Sequence, residues 1–223
     1  MRSPFRKAMN RLSPPILWDC AEFVAQAVNT KIFSSAEQDS TYYDRLYRKK
    51  KAYRDHYATI IYYPIWCVLV DRIMRNGTTS LLEIGCGSGQ LASFFRDKGL
   101  SQYCGFDCSK EAIHLANAIC PQFSFHVADA FETSLFEKHH YDAVICTEVL
   151  EHVEGDIDIL ERIKTGTRVY ATVPDFPDNA HVRVFHDSDS VCERYASMFQ
   201  EFSVDSFRTS EGTIFFLIEG IKL

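Results

Sequence analysis

From Leu81 onward, short apolar or β-branched runs alternate with amphipathic stretches, the pattern left by strands and helices that succeed one another in a parallel sheet. The runs predict strands near 80–84, 102–107, 123–127, 141–146 and 167–173, with helices near 88–98, 109–119, 150–164 and 187–198. The rhythm then changes. Phe202 to Thr209 and Thr213 to Ile221 read as two strands separated by Ser210-Glu211-Gly212, a hairpin-type connection. Before Leu81 no strand pattern occurs: Pro15 to Val28 reads as a helix, residues 41–57 are rich in Tyr and basic side chains, and Ile60 to Arg75 reads as a helix interrupted or started at Pro64. The expected organisation is a helical cap or lid over residues 1–76 on an α/β domain over residues 77–223, whose doubly wound, mostly parallel sheet ends in an antiparallel hairpin.

Composition narrows the class without changing that picture. With 46% hydrophobic and 24% charged residues, the 223-residue chain is far from the signature of disorder. The longest apolar run, Thr59 to Val70, contains Pro64 and stops at Asp71, well short of the roughly 20 residues that cross a bilayer, so no membrane insertion is expected. Basic residues near the start precede an apolar stretch, but Asp19 and Glu22 interrupt it too soon for a signal peptide. Eight cysteines without a CxxC pair read as reduced, mostly buried thiols of a cytoplasmic protein, and Cys104 and Cys108 have no second pair to complete a zinc site. The net charge of −6 hides an asymmetry: residues 1–76 carry 13 basic against 7 acidic side chains, and residues 77–223 carry 11 against 23. A basic appendage beside an acidic body suits an anionic acceptor.

The chemistry concentrates at predicted strand ends. Leu81 to Gln90 places Glu83 near the end of a strand, then Gly85, Cys86, Gly87, Ser88 and Gly89, then a helix. Glycines there permit positive φ and close backbone approach, and a helix start offers free N–H groups to an anionic group. The dinucleotide fingerprint is GxGxxG, whereas this loop is GxGxG preceded by Glu83. That difference favours S-adenosylmethionine over NAD and ranks a dehydrogenase lower. The loop resembles the E/DxGxGxG motif of class I S-adenosylmethionine-dependent methyltransferases, a likeness that extends through most of residues 79–220, and it implies a Rossmann-like fold and release of S-adenosylhomocysteine. On that resemblance, Asp107, at the end of the next strand, accepts from the ribose hydroxyls. Asp129, followed by Ala130, meets the adenine amino group, with a helix N-cap as the alternative role for the acid. Cys146 and Thr147 are then expected to line the methyl-transfer site, while Asp142 supports its strand.

Were residues 148–152 to begin a helix, Glu148, Glu151 and His152 would share one face. A histidine of near-neutral pKa suits deprotonation of a hydroxyl acceptor, so His152, with Glu148 and His181, is the catalytic candidate. The bland alternative is that this segment only shapes the turn. Glu148, Glu151, His152 and His181 also resemble the metal-binding set of small-RNA 3′-terminal ribose 2′-O-methyltransferases, and ubiquinone-type O-methyltransferases share a related ExxEH segment. A divalent metal there would lower the pKa of an acceptor hydroxyl. The expected function is methyl transfer to a small-molecule or glycan-like acceptor at oxygen. The alternatives are a metal-dependent methyltransferase whose partner is a nucleic acid, and a non-catalytic cofactor-binding partner protein. Lys50 and its basic neighbours, interleaved with seven of the eleven tyrosines at or before Tyr63, read either as a ligand-stacking surface or as a solvated helix face.

Overall fold

The computed structural model describes residues 36–210 and 212–223, and the helix expected over Pro15 to Val28 lies outside them. Ala36–Leu223 forms one compact unit. Strands β1 (Ser80–Ile84), β2 (Gln102–Asp107), β3 (Ser124–Val127), β4 (Ala143–Thr147) and β5 (Arg168–Pro174) all fall within two residues of their predicted limits. They pair in parallel, and β6 (Phe199–Arg208) and β7 (Ile214–Lys222) complete a seven-stranded sheet of order β3-β2-β1-β4-β5-β7-β6. The antiparallel pair is the expected hairpin, with β7 inserted between β5 and β6.

Central strands of such a sheet are covered on both faces, which is why β1 (SLLEI) and β4 (AVICT) are buried along their whole length. On one face pack α2 (Tyr63–Arg75), α3 (Gln90–Asp97) and α4 (Lys110–Ile119). Pro64 sits in the first turn of α2, where its missing N–H has no helical partner to lose, and Ile65, Trp66, Leu69, Val70 and Ile73 form the buried stripe. The other face is covered by α5 (Leu135–Lys138), α6 (Asp156–Glu161) and α7 (Ser188–Tyr195), the last begun by a capping box on Asp187 and Ser190.

The helix predicted over 150–164 is much shorter. Glu148 adopts φ +55°, a left-handed conformation that breaks the run after β4. Residues 149–155 then form turns, with His152 N–H bonded to Val149 O at 2.9 Å, before α6 starts at Asp156. Glu148, Glu151 and His152 therefore do not share a helical face. The Tyr-rich basic stretch forms α1 (Ser40–Lys49) and two 3-10 turns, Lys51–Arg54 and Tyr57–Thr59. No residue of α1 is buried, and polar contacts tether it, chiefly Asp44, which accepts from Ser109 Oγ at 2.6 Å and Glu111 N at 3.1 Å.

Candidate active site

The carboxyl ends of β1, β2 and β4 open onto a cavity of about 870 Å³ that runs from the glycine loop to the segments after β4 and β5. At its first end, Gly85, Gly87 and Gly89 all have positive φ. Gly89 caps α3, and a Cβ on it would lie 3.0 Å from the Ala116 backbone, so the loop presses directly on α4. Gly87 N–H donates to Asp107 Oδ2 at 3.0 Å, and Ser109 N–H to Oδ1 at 2.8 Å. These two bonds fix the Asp107 carboxyl at the strand end and leave each oxygen a lone pair. Burial lifts its pKa to about 6 despite both bonds. Glu83, on β1, lines the same end with Oε2 buried and unpartnered, and burial raises its pKa well above the carboxylate range.

Asp129 and Ala130 line the cavity beyond β3, and Asp129 Oδ1 accepts from Phe131 N at 2.8 Å. This bond closes a local turn and is not the helix N-cap held open from the sequence, since the next helix begins at Leu135 with Ser134 as its N-cap; Oδ2 is not engaged by it. Thr147 lines the cavity, whereas Cys146, one residue earlier and on the opposite face of β4, is fully buried in the core cluster of Leu82, Ile84 and Phe106. Period-two alternation excludes both from one face, which corrects the expectation that Cys146 lines the site. Asp142 supports the sheet as expected, accepting from the N–H groups of Thr79 and Ser80 at 2.9 and 3.0 Å.

Two turns build the other end. Glu151, His152 and His181 each present one ligand atom, all within 4.8 Å of one another. His152 Nδ1 lies 3.0 Å from Ala180 O, and His181 Nδ1 lies 2.9 Å from Phe176 O. A carbonyl only accepts, so both rings hold their proton on Nδ1 and keep a lone pair on Nε2. Burial, reinforced by His181, drives His152 down to about 4, which overturns the expectation of a near-neutral histidine. Glu148 accepts from Thr172 Oγ1 at 2.8 Å and is lifted by burial to about 8. Both oxygens of Glu151 are buried without a hydrogen-bond partner, Oε1 standing 3.7 Å from His152 Nε2, and burial followed by the charge of Glu148 pushes its pKa up as well.

Several lining residues gave no motif. Tyr47 reaches over the glycine loop, its hydroxyl 2.9 Å from where a Cβ of Gly87 would stand. Tyr43 packs edge-on to His152 with ring centroids 6.0 Å apart. Only the mixture of tyrosines and cations before residue 63 signalled this wall.

Residues 53–215 match the model of a family described as a methyltransferase domain. The chain belongs to that family. This places it in the class I S-adenosylmethionine-dependent methyltransferase superfamily, whose cofactor the glycine loop, the engaged Asp107 carboxyl and the orphaned Glu83 oxygen fit. The chain resembles the ubiquinone biosynthesis O-methyltransferase of Nitrosospira multiformis, at 29% identity over 98 residues that cover 42% of this chain and 41% of the relative. That of Serratia proteamaculans is 31% identical over 101 residues, covering 41% of each chain. The match thus spans about two fifths of the length of these curated relatives. Among solved structures, magnesium protoporphyrin IX methyltransferase from Synechocystis PCC 6803 with bound S-adenosylmethionine superposes with TM-score 0.63 at 16% identity, over 85% of this chain and 100% of that one. The N-methyltransferase NodS from Bradyrhizobium japonicum WM9, in complex with S-adenosylhomocysteine, gives 0.61 at 13%, over 82% and 99%. At these identities the likeness establishes the fold. Among the described residues no helix is long and apolar enough to cross a membrane.

Proposed function

We propose that this chain transfers the methyl group of S-adenosylmethionine to a hydroxyl oxygen of a small acceptor. One observation carries the reading: a single cavity joins the glycine loop and Asp107 to a face bearing two carboxyl groups and two imidazoles with free Nε2 atoms. The cofactor supplies a methyl group on a sulfonium, already activated for in-line displacement. Gly85, Cys86 and Gly87 would hold its amino-acid part with Glu83, Asp107 the ribose, and Asp129 with Ala130 the adenine; Gly89, expected to join them, faces Ala116 away from the cavity and shapes the loop instead. Thr147 lines the same cavity and fits a contact to either ligand.

What remains for the protein is to orient the acceptor and take its proton. His152 is suited to the first task. Being neutral at physiological pH, its Nε2 accepts a hydrogen bond from the acceptor hydroxyl, and Glu148 and His181 stand beside it. A pKa near 4 makes it a weak base, so His152 orients the hydroxyl and the released proton passes to Glu148, whose carboxylate, lifted to about 8 by burial, is the stronger base. The names of the curated relatives supply the precedent for transfer to oxygen and support a small-molecule acceptor. They lend nothing to the nucleic-acid alternative. The basic, tyrosine-rich segment before residue 63 acts in this reading as a lid over the cofactor.

His152→Ala is expected to lower turnover by about 10²-fold or more, the scale of a misplaced acceptor, while the Kd for S-adenosylmethionine stays within a small factor. Screening a panel of hydroxylated aromatic and sugar acceptors beside amines and thiols by mass spectrometry for the gain of one methyl group tests the reading; no gain on any oxygen, with gain on nitrogen or sulfur acceptors, would overturn it.

A second reading is favoured by the unpartnered oxygens of Glu151 beside the two Nε2 atoms. Glu151, His152 and His181 would hold a divalent cation of hard or borderline character, and its charge would ease ionisation of the acceptor hydroxyl; Glu148, expected as a fourth ligand, is bonded to Thr172 and lies outside this group. Dialysis against EDTA should then abolish turnover and manganese should restore it, with calorimetry registering one cation bound to the wild type and none to Glu151→Gln. Full turnover in EDTA rejects it.

A further inference from the structure

The turn that carries Glu151 and His152 is held from behind by a residue outside the cavity wall. Arg183, nearly buried, donates through Nη1 to the carbonyls of Leu150 and Val153, the latter at 2.5 Å, and through Nη2 to Glu154 O at 3.0 Å. The carbonyl of Glu151 is taken by Val182 N–H at 2.8 Å. Four of the five successive carbonyls from Leu150 to Glu154 are therefore engaged by residues 182 and 183. In return, His152 Nδ1 donates to Ala180 O. Behind the guanidinium sits Asp156, fully buried, 3.4 Å from Arg183 Nη1 and also bonded to Arg194 Nε and Tyr195 Oη, each at 2.7 Å. This acid balances the charge of the fork and fixes its position.

Such a turn has little else to hold it. It follows Glu148 in a left-handed conformation, precedes a six-residue helix, and contains no regular element of its own. A guanidinium offers several donors in one rigid plane, so it can satisfy three carbonyls that diverge from one turn, whereas an ammonium is a single point.

We propose that Arg183 is a positioning residue for methyl transfer, its fork on the 150–154 turn setting where His152 and Glu151 stand in the cavity. The inference rests on the reading that this end of the cavity receives the acceptor. Arg183 touches neither cofactor nor acceptor and acts through the turn.

The test is made on the full chain. Arg183→Ala strips a buried acid of a partner and risks unfolding. Arg183→Lys keeps the charge and loses the fork; Arg183→Gln, as a second variant, keeps a donor without charge. In nuclear magnetic resonance of protein carrying isotope-labelled histidine, the wild type should show His152 as a single Nδ1–H tautomer. In both variants that signal should become an exchange average of the two tautomers, while His181, held independently by Phe176 O, keeps its own. Calorimetric affinity for S-adenosylmethionine should stay within about twofold, as expected for a site that shares no partner with Arg183. An unchanged His152 tautomer in a folded variant overturns the proposal. So does joint loss of the fold and of cofactor binding in both variants, which would assign Arg183 to global stability. Because the tautomer is read on the free protein, failure of the wild type to bind S-adenosylmethionine would sink the methyltransferase reading and leave the result on Arg183 legible.

Discussion

Replacing Gly87 by Val is expected to weaken S-adenosylmethionine binding by about 10²-fold or more, close to 3 kcal/mol, in a protein that still folds. Three constraints meet at this residue. Its φ is +52°, a region that a β-branched side chain reaches only under strain. A Cβ would stand 2.9 Å from the Tyr47 hydroxyl, so even the first carbon displaces the aromatic wall over the loop. Its N–H donates to Asp107 Oδ2, so twisting the loop also releases the carboxyl proposed for the ribose. The damage is local because the loop lies at the mouth of the sheet, while the core residues of β1 sit below it. Gly87→Ala should show a smaller loss, since Tyr47 can swing its flexible end away. Calorimetry with S-adenosylmethionine, beside circular dichroism and a thermal melt, checks the expectation; unchanged affinity for the Val variant would remove the loop from the cofactor site.

Much of this site was legible because strand ends leave strong local signals. The runs 80–84 and 102–107 are pure strand patterns that stop at a glycine loop and at Asp107, and the sheet brings those ends together as parallel pairing requires. The misreadings have identifiable causes. Residues 149–155 look helical from their apolar spacing, but Glu148 at φ +55° and the fork of Arg183 hold them as turns, a tertiary override that no local window contains. The resemblance implies that both Cys146 and Thr147 line the site, but it marks a strand end and not a face, and alternation along β4 sends one inward and the other toward the cavity. A histidine's near-neutral reference value carries no information on the burial that lowers His152. The tyrosine-rich segment gave the composition of a lid but not its fastenings, since the bond from Ser109 Oγ to Asp44 joins residues 65 positions apart.

Through Asp107, affinity for S-adenosylmethionine should fall as the pH drops through about 6, by about tenfold for each further unit of acidity. The sign follows from Asp107. Burial raises its pKa from 3.8 to about 6 in the free protein, so near neutral pH it is a carboxylate already holding two backbone N–H groups. Ribose hydroxyls donate to the ionised form and favour it, so binding pulls the pKa down again, and below 6 each bound cofactor must first expel a proton. For the free protein the same shift acts in the opposite direction. A raised acid stabilises the fold fully below its unfolded value of 3.8, and that contribution is lost as the pH climbs towards 6. Acidification through this window should therefore favour the free fold at this residue while weakening cofactor binding, a divergence that net charge alone does not produce. Asp107→Asn separates the two effects: it should bind poorly at pH 8, by about tenfold or more for the loss of a charged acceptor, and its affinity should no longer change between pH 5 and 7. Calorimetry across that range on both proteins decides the matter. If the wild type shows the same affinity at pH 5 as at pH 8, the ribose is held elsewhere.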